Sequence, residues 1–213
     1  MNPEDLNPIS LIEAGALTER NGCTIYAIAG AITILHPELS ESEITDKIKS
    51  LISVPIENTP LLSIMQEKDL PAPLILNKGF VTAVKWINEG EGDPLMAYLN
   101  TRFEELGLQI NIGVYHRTEA NDSDQIIEDV KSGKVLLLPC FVYENSELDG
   151  SHHVAIANVG DKIVVIDINS PVATIQENLL KEMLQNPIKR ISYGREMLEI
   201  SINRDPIISL IRK

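Results

Sequence analysis

The sequence predicts an α+β fold in which helices come first and mainly antiparallel strands follow. The first half of the chain carries apolar and amphipathic stretches that are bounded by helix caps and prolines. After Gly107 the pattern changes to short apolar runs that are separated by turn signals, which is typical of strands. Helices followed by strands, rather than a regular alternation of the two, favour an α+β domain.

The helical half begins with the most apolar stretch of the chain, which we expect to form a buried helix over Cys23–His36 that ends before a proline. Small residues such as Gly30 would let other elements approach this helix closely. A capping box at Ser40 predicts a second helix, to about Ile52. Residues 53–78 are rich in proline and are interpreted as mostly loop. Two more helices are predicted after this loop, at Gly79–Asn88 and Pro94–Leu106.

The second half is dominated by apolar strands. Five segments have the alternating or continuous apolar pattern of strands: Leu108–Tyr115, Val135–Val142, His153–Val159, Ile163–Ile168 and, as a last strand or hairpin, Ile191–Ile202. Two helices are predicted between them, at Ser123–Val130 and Leu179–Leu184. Gly160-Asp161 is a tight hairpin signal between the third and fourth strands.

Composition limits the classes of function. With 213 residues and no sharp boundary, residues 1–213 are expected to form a single domain. The net charge of −13 argues against binding to nucleic acid or to an anionic membrane surface. Two cysteines are too few for a disulfide framework. The acidic N-terminus lacks the pattern of a secretory signal, so a cytoplasmic location, or export without a cleavable signal peptide, is expected.

Cys23 and two downstream groups form the candidate reactive site. Cys23 is expected at the first turn of the apolar helix, where unpaired amides and the helix macrodipole lower the pKa of a thiol. The pair His152 and His153 opens a predicted strand, and Asp167 lies near the end of the next one. These residue types match a nucleophile, a general base and an orienting carboxylate. Cys140 lies inside an apolar strand, where a cysteine is usually structural.

Only one histidine of the pair can face Cys23, because side chains alternate along a strand. If Gly160-Asp161 is a two-residue turn, position 152 lies opposite position 169, which favours His152 with Asn169. A three-residue loop shifts the pairing by one and favours His153. The residues alone leave both alternatives open. The remaining histidines, His36 and His116, are expected at the surface or in loops.

At these residues the chain resembles the papain-like cysteine peptidases, and it looks closest to the leader-peptide (bacteriocin-processing) peptidase domains. The likeness covers most of the chain. Its elements are Cys23 opening an apolar helix, the capped helix at Ser40, the helix exit Glu104–Leu108, the segment Asp129–Leu137, and Gly150–Val154 before the strand that ends at Asp167. The resemblance implies a papain-like fold, with a helical half packed on a twisted antiparallel sheet.

The resemblance also implies roles for individual residues. In such families the histidine directly precedes the apolar strand and usually lies an even number of residues before its Asp or Asn partner. This implies Cys23 as nucleophile, His153 as base and Asp167 as orienter. The alternatives to the base and the orienter are His152 and Asn169.

The oxyanion hole departs from the family pattern. The family's glutamine, a few residues before the cysteine, is absent from this sequence. Asn21 carries the only side-chain amide in that region. The hole is therefore expected to consist of Asn21 and the backbone N–H of Cys23.

The function implied by the resemblance is that of a thiol-dependent hydrolase, most simply a cysteine peptidase that cleaves a peptide or isopeptide bond through a Cys-His-Asp triad. The alternatives are an acyltransferase or transglutaminase-like enzyme with the same triad, and a non-catalytic binding module of the same fold. The expected partner is a protein or peptide substrate. No cofactor and no metal are expected, since the triad uses the residues that a metal site would need.

Overall fold

The computed structural model describes residues 6, 23–53, 94–115, 123–144, 147–167, 170–185, 191–193 and 197–202. Within these ranges the chain combines helices with an antiparallel sheet, so the predicted α+β class is confirmed. Of the predicted loop at 53–78, Ser53 is the last residue of a helix, and residues 54–78 lie outside the described residues, as does the predicted helix Gly79–Asn88. The extent of the single domain therefore stays a prediction.

Five helices lie in the described ranges: α1 (Cys23–Leu35), α2 (Glu41–Ser53), α3 (Pro94–Glu105), α4 (Ser123–Lys131) and α5 (Glu177–Gln185). Their ends lie within two residues of the predicted ones. The capping box of α2 is present, because Ser40 N–H donates to Glu43 Oε2 at 2.8 Å and Glu43 N–H donates to Ser40 Oγ at 3.4 Å. The longest of these helices has 13 residues, which is too few for a transmembrane span.

Seven strands form one sheet in the described ranges: β1 (Ile110–Tyr115), β2 (Val135–Glu144), β3 (Glu147–Val159), β4 (Lys162–Asp167), β5 (Ser170–Ile175), β6 (Ile191–Tyr193) and β7 (Met197–Ile202). The order across the sheet is β1-β7-β2-β3-β4-β5, and β6 pairs with β2. All of these pairings are antiparallel. The strands from β2 to β5 are neighbours in the sheet in the order in which they follow along the chain.

The histidine-bearing strand is longer than predicted. The sequence places its start at His153, which is wrong, because β3 begins at Glu147. The added residues are mostly polar and contain a glycine, so their local pattern does not indicate a strand. They are extended because β2 pairs with them, as far as Glu144 opposite Glu147. Both histidines therefore lie inside a strand.

Two further elements depend on pairing rather than on local pattern. Strand β5 is not predicted, and it forms because β4 pairs with it, from Ile163 opposite Ile175 to Asp167 opposite Ser170. The predicted final strand or hairpin contains two described strands, and residues 194–196 between them lie outside the described residues. Its parts β6 and β7 each pair with β2, through residue pairs such as Tyr193 with Cys140. The hairpin alternative is therefore wrong.

The sheet separates two apolar cores. Helix α1 packs on the face that includes Ala155 and Ala157 of β3, whereas α4 and α5 pack with Val154 and Ile156 on the other face. Alternate residues of one strand therefore serve different cores, as the two-residue period of a strand dictates. This division determines which side chains of β3 can reach α1.

Helix α1 approaches β4 very closely at Gly30. A Cβ placed on Gly30 would lie 2.8 Å from Ile166 Cδ1 and 3.0 Å from its Cγ2. Both distances are shorter than a van der Waals contact between carbon atoms. The prediction that small residues let other elements approach this helix is confirmed at this position.

The outer edge of β1 is covered by a side chain of α3. Asn100 Nδ2 donates to Ile112 O at 2.9 Å, and Ile112 N–H donates to Asn100 Oδ1 at 2.8 Å. The amide therefore pairs with the strand as another strand would. Strand edges that present unpaired backbone groups promote pairing with other chains, so this amide protects the edge.

Replacing Asn100 by Ala is expected to destabilise the protein by about 1–3 kcal/mol, because two backbone groups of Ile112 lose their partner. For a chain of this length that corresponds to a melting temperature lower by roughly 2–12 °C in thermal unfolding followed by circular dichroism. Asn111→Ala, an exposed position of the same strand, is the control. Equal melting temperatures for the two variants would contradict an edge-protecting role for Asn100.

Candidate active site

Cys23 is the first residue of α1, and its residue is 6% exposed. It is present as a thiol. The backbone N–H groups in the first turn of a helix have no acceptor within the helix, and the macrodipole is positive there. Both effects favour an anion at this end of the helix. The helix boundary thus gives Cys23 the environment in which a thiolate is stabilised.

His153 is 4% exposed and lies inside β3, opposite Pro139 of β2. Its position alternates with Ala155 and Ala157, so it belongs to the face on which α1 packs. His153 and Ser123 are buried polar side chains. A titratable ring buried in an otherwise aliphatic layer is a candidate functional group.

Asp167 is the last residue of β4, is partly buried and pairs with Ser170 of β5. If side chains alternated strictly along β4, Asp167 would lie on the face opposite to Ile166 and therefore away from α1. The register of β4 against β5 shifts just before it, however, after Val165. Its charge acts on Tyr26 of α1. Burial raises the pKa of Tyr26 to about 12, and the Asp167 carboxylate contributes to this rise. Asp167 is thus close enough to α1 to influence its side chains.

Two observations indicate how α1 lies along the sheet. In the middle of the helix, Gly30 lies against Ile166, and Val165 next to Ile166 pairs with Ile156 of β3. One turn nearer the start of the helix, the charge of Asp167, the residue after Ile166, acts on Tyr26. Because β4 is antiparallel to β3, both observations indicate that the helix and β3 run in the same direction.

The start of α1 must then lie beside the part of β3 that precedes Ala155, the residue paired with Ile166. Cys23 lies seven residues before Gly30, which is about 10 Å along a helix axis. His153 lies two residues before Ala155, which is about 7 Å along a strand. Both residues therefore lie on the same side of the contact between Gly30 and Ile166.

The alternative histidine has a different position in the sheet. Val159 pairs with Lys162, so Gly160-Asp161 is the two-residue turn on which the argument for His152 depended. Position 152, however, lies three residues before Ala155 and therefore on the opposite face of β3, away from α1. Its backbone pairs with that of Cys140. Register alone therefore does not decide which histidine meets the thiol.

Two predicted site residues, Asn21 and Asn169, lie outside the described residues, as does His116. His36 follows α1, as predicted for a loop residue, but its side chain is only 12% exposed. Its Nδ1 lies 2.7 Å from Glu38 Oε1, and this contact holds the pKa of the Glu38 carboxyl below its ordinary value. Among the residues that the structure describes, no group of three or more His, Cys, Asp or Glu could hold a metal ion.

Tyr26 is a residue near the site that the sequence analysis does not identify. It is 2% exposed and lies one helical turn after Cys23. Its signal in the sequence is the spacing of three residues from the cysteine, which places both on one face of a helix. In an apolar helix this spacing also fits an ordinary core tyrosine, so only its proximity to Asp167 distinguishes it.

Comparisons with known proteins add little to this geometry. No protein-family model matches the chain, and no curated protein gives a significant match. Among solved structures, the crystal structure of the Pseudomonas avirulence protein AvrPphB is similar over 88% of this chain and 95% of that chain. The TM-score is 0.38 and the sequence identity is 10%. A TM-score this low carries no argument about function, so the interpretation depends on the residues of this chain.

Proposed function

We propose that this protein is a thiol-dependent hydrolase of the papain-like type, acting as a cysteine peptidase on a peptide or isopeptide bond. The observation that carries the proposal is the packing of α1 on β3 and β4. This packing supports a site in which a thiol at a helix start, a buried histidine and a carboxylate share one end of an interface. Membership of the leader-peptide peptidase branch stays a prediction.

In the proposed reaction, Cys23 Sγ attacks the carbonyl carbon of the substrate while the His153 imidazole accepts the thiol proton. The tetrahedral intermediate collapses when the C–N bond breaks, and His153 donates its proton to the leaving amine. The acyl group is then held as a thioester on Cys23. Water attacks this thioester, His153 accepts a proton from the water, and the carboxylic acid product leaves as the thiol is restored. Asp167 orients the imidazole and stabilises its cationic form.

We assign the base to His153 rather than His152 because position 153 shares the face of β3 with the residues that contact α1. Asp167 is assigned as orienter because its charge reaches α1. The oxyanion of the tetrahedral intermediate would be stabilised by the backbone N–H of Cys23 and by the side-chain amide of Asn21. Such donors, when aimed at the developing charge, are typically worth about 3–4 kcal/mol each.

The proposal predicts that Cys23 reacts with iodoacetamide at a pH well below the value of about 8.5 expected for an unperturbed thiol. The rate of alkylation is measured against pH by mass spectrometry of the folded protein. Cys140→Ser leaves Cys23 as the only thiol, and Cys23→Ser is the matched reciprocal variant. Cys23 is only 6% exposed, and limited access of the reagent lowers the rate of alkylation at every pH. The pKa of the thiol is therefore taken from the midpoint of the pH profile and not from the absolute rate.

Two outcomes of this experiment separate the classes of function. A Cys23 midpoint near 8.5, equal to that of Cys140, means that the thiol is not activated and favours a non-catalytic binding module. A depressed midpoint, followed by formation of a thioester with a peptide ester, favours an enzyme. Resolution of that thioester by water identifies a hydrolase, whereas resolution only by an added amine identifies an acyltransferase.

A further inference from the structure

We propose that the segment 203–213 of this chain docks into a cavity at the end of α1 and holds that end of the helix against the sheet. The inference does not depend on the proposed function, because the cavity and Cys23 lie at opposite ends of α1. Leu35, the last residue of α1, follows Cys23 by 12 residues, which is about 18 Å along a helix axis.

The cavity has a volume of about 670 Å³ and lies where four parts of the fold meet. These parts are the end of α1, the chain that leaves α4, and the strands β3 and β7. They contribute lining residues that include Leu35, Ser132, Asn158 and Ser201. Pockets that enclose a small molecule have volumes of about 300–1,000 Å³, so this cavity has room for several side chains.

The first support is the place at which the chain leaves the sheet. Ser201 and Ile202, the last two residues of β7, both line the cavity. Residues 203–213, which lie outside the described residues, are therefore attached covalently at its wall. A segment tethered by a short linker has an effective concentration of the order of millimolar at its site. Four extended residues span at most about 14 Å, so the side chains from position 207 onward can reach the cavity.

The second support is the match of apolar groups. The cavity has an apolar wall, formed by Ile34, Leu35, Pro37 and Ile202. Ile202 is 45% exposed, so part of this wall is open to water. Covering such a wall with another apolar group removes its surface from water and is favourable. The segment supplies four aliphatic side chains, those of Ile207, Ile208, Leu210 and Ile211.

The third support is charge. Leu35 ends α1 and Ser132 follows the last residue of α4, so the carboxyl ends of two helices meet at the cavity, where their macrodipoles are negative. Lys134 also lines the cavity, but its Nζ is paired with Asp129 Oδ1 at 3.6 Å. The whole chain has a net charge of −13, whereas residues 203–213 contain three basic residues and one acidic residue. The segment therefore complements the cavity, and an anionic small molecule is a poorer occupant.

The direct test is photo-crosslinking in the full chain. p-Benzoylphenylalanine is incorporated at Ser132, an exposed lining residue, and the crosslinked peptides are identified by mass spectrometry after digestion with trypsin. We expect a crosslink to the peptide 205–212. The matched control is the same residue at Asp124, which is exposed near the other end of α4 and should give no such crosslink. A mixture of unlabelled and ¹⁵N-labelled protein distinguishes crosslinks within one chain from those between two chains.

A second measurement tests whether the contact is stabilising. Replacing the four aliphatic residues of the segment by Ser should lower the melting temperature by roughly 4–8 °C, because the apolar wall is uncovered. The same replacement should cause a smaller loss in Ile34→Ser, since both changes remove one shared contact. Ser209→Ala, which leaves the aliphatic residues of the segment in place, should have the melting temperature of the parent protein.

Four results would overturn the inference. A crosslink from position 132 that is no stronger than that from position 124 means that the segment is not at the cavity. Crosslinks only between labelled and unlabelled chains assign the cavity to a second copy of the protein. An unchanged melting temperature of the segment variant leaves the cavity to a small molecule or to water. Fully additive losses in the Ile34→Ser background mean that the segment is stabilising at another place.

Discussion

His153→Ala is expected to raise the apparent pKa of Cys23 towards about 8.5 and to lower its alkylation by iodoacetamide at pH 6 about 100-fold. The reason is that the thiolate loses the adjacent imidazolium that stabilises it. If a peptide substrate is found, its turnover should fall by about 10²–10⁴-fold, the usual contribution of a general base. Mass spectrometry of the labelled peptide that contains Cys23 measures the first effect directly.

The matched control is His152→Ala, which removes the same ring from the neighbouring position of β3. This variant should keep the alkylation profile of the parent protein, because position 152 alternates to the other face of the sheet. The reverse result, with His152 required and His153 dispensable, would assign the base to His152. It would then move the orienter to Asn169, as the register of the Gly160-Asp161 turn alone suggests.

Gly30→Val is expected to destabilise the protein by about 2 kcal/mol or more and to lower the alkylation of Cys23. A Cβ at this position already lies 2.8 Å from Ile166, which is itself buried, so neither side chain has room to move. Overpacking of this kind typically costs about 1–3 kcal/mol per site, and the better helix propensity of valine recovers less than 1 kcal/mol. The melting temperature should fall by roughly 4–8 °C.

Two further variants make this prediction specific. Gly113→Val is the control, since nothing lies within 4 Å of a Cβ at that strand position and valine suits a strand. Ile166→Val removes the methyl group at 2.8 Å and should restore part of the stability lost in Gly30→Val. If Gly30→Val unfolds at the temperature of the parent protein, the contact between α1 and β4 is looser than these distances require.

Local sequence patterns predict the features of this protein that depend on neighbouring residues. The apolar run from Cys23, the capping box at Ser40 and the turn at Gly160-Asp161 are local signals, because caps, prolines and turns act on backbone groups a few residues away. For the same reason the ends of the helices were predictable to within two residues. The types of residue in the candidate site are also predicted from the sequence, because the chemistry of a thiol, an imidazole and a carboxylate is known from the residue types alone.

Other features depend on residues that are distant in the chain, and local patterns do not predict them. The polar start of β3 and the whole of β5 are extended only because neighbouring strands supply hydrogen bonds to them. The sequence also does not predict which face of β3 packs against α1. The alternation of side chains along a strand separates its two faces, but it does not show which face a helix will cover. That choice places position 153, and not position 152, on the face of β3 that packs against α1. It follows from the close contact of Gly30 with Ile166, which lie 136 residues apart in the chain.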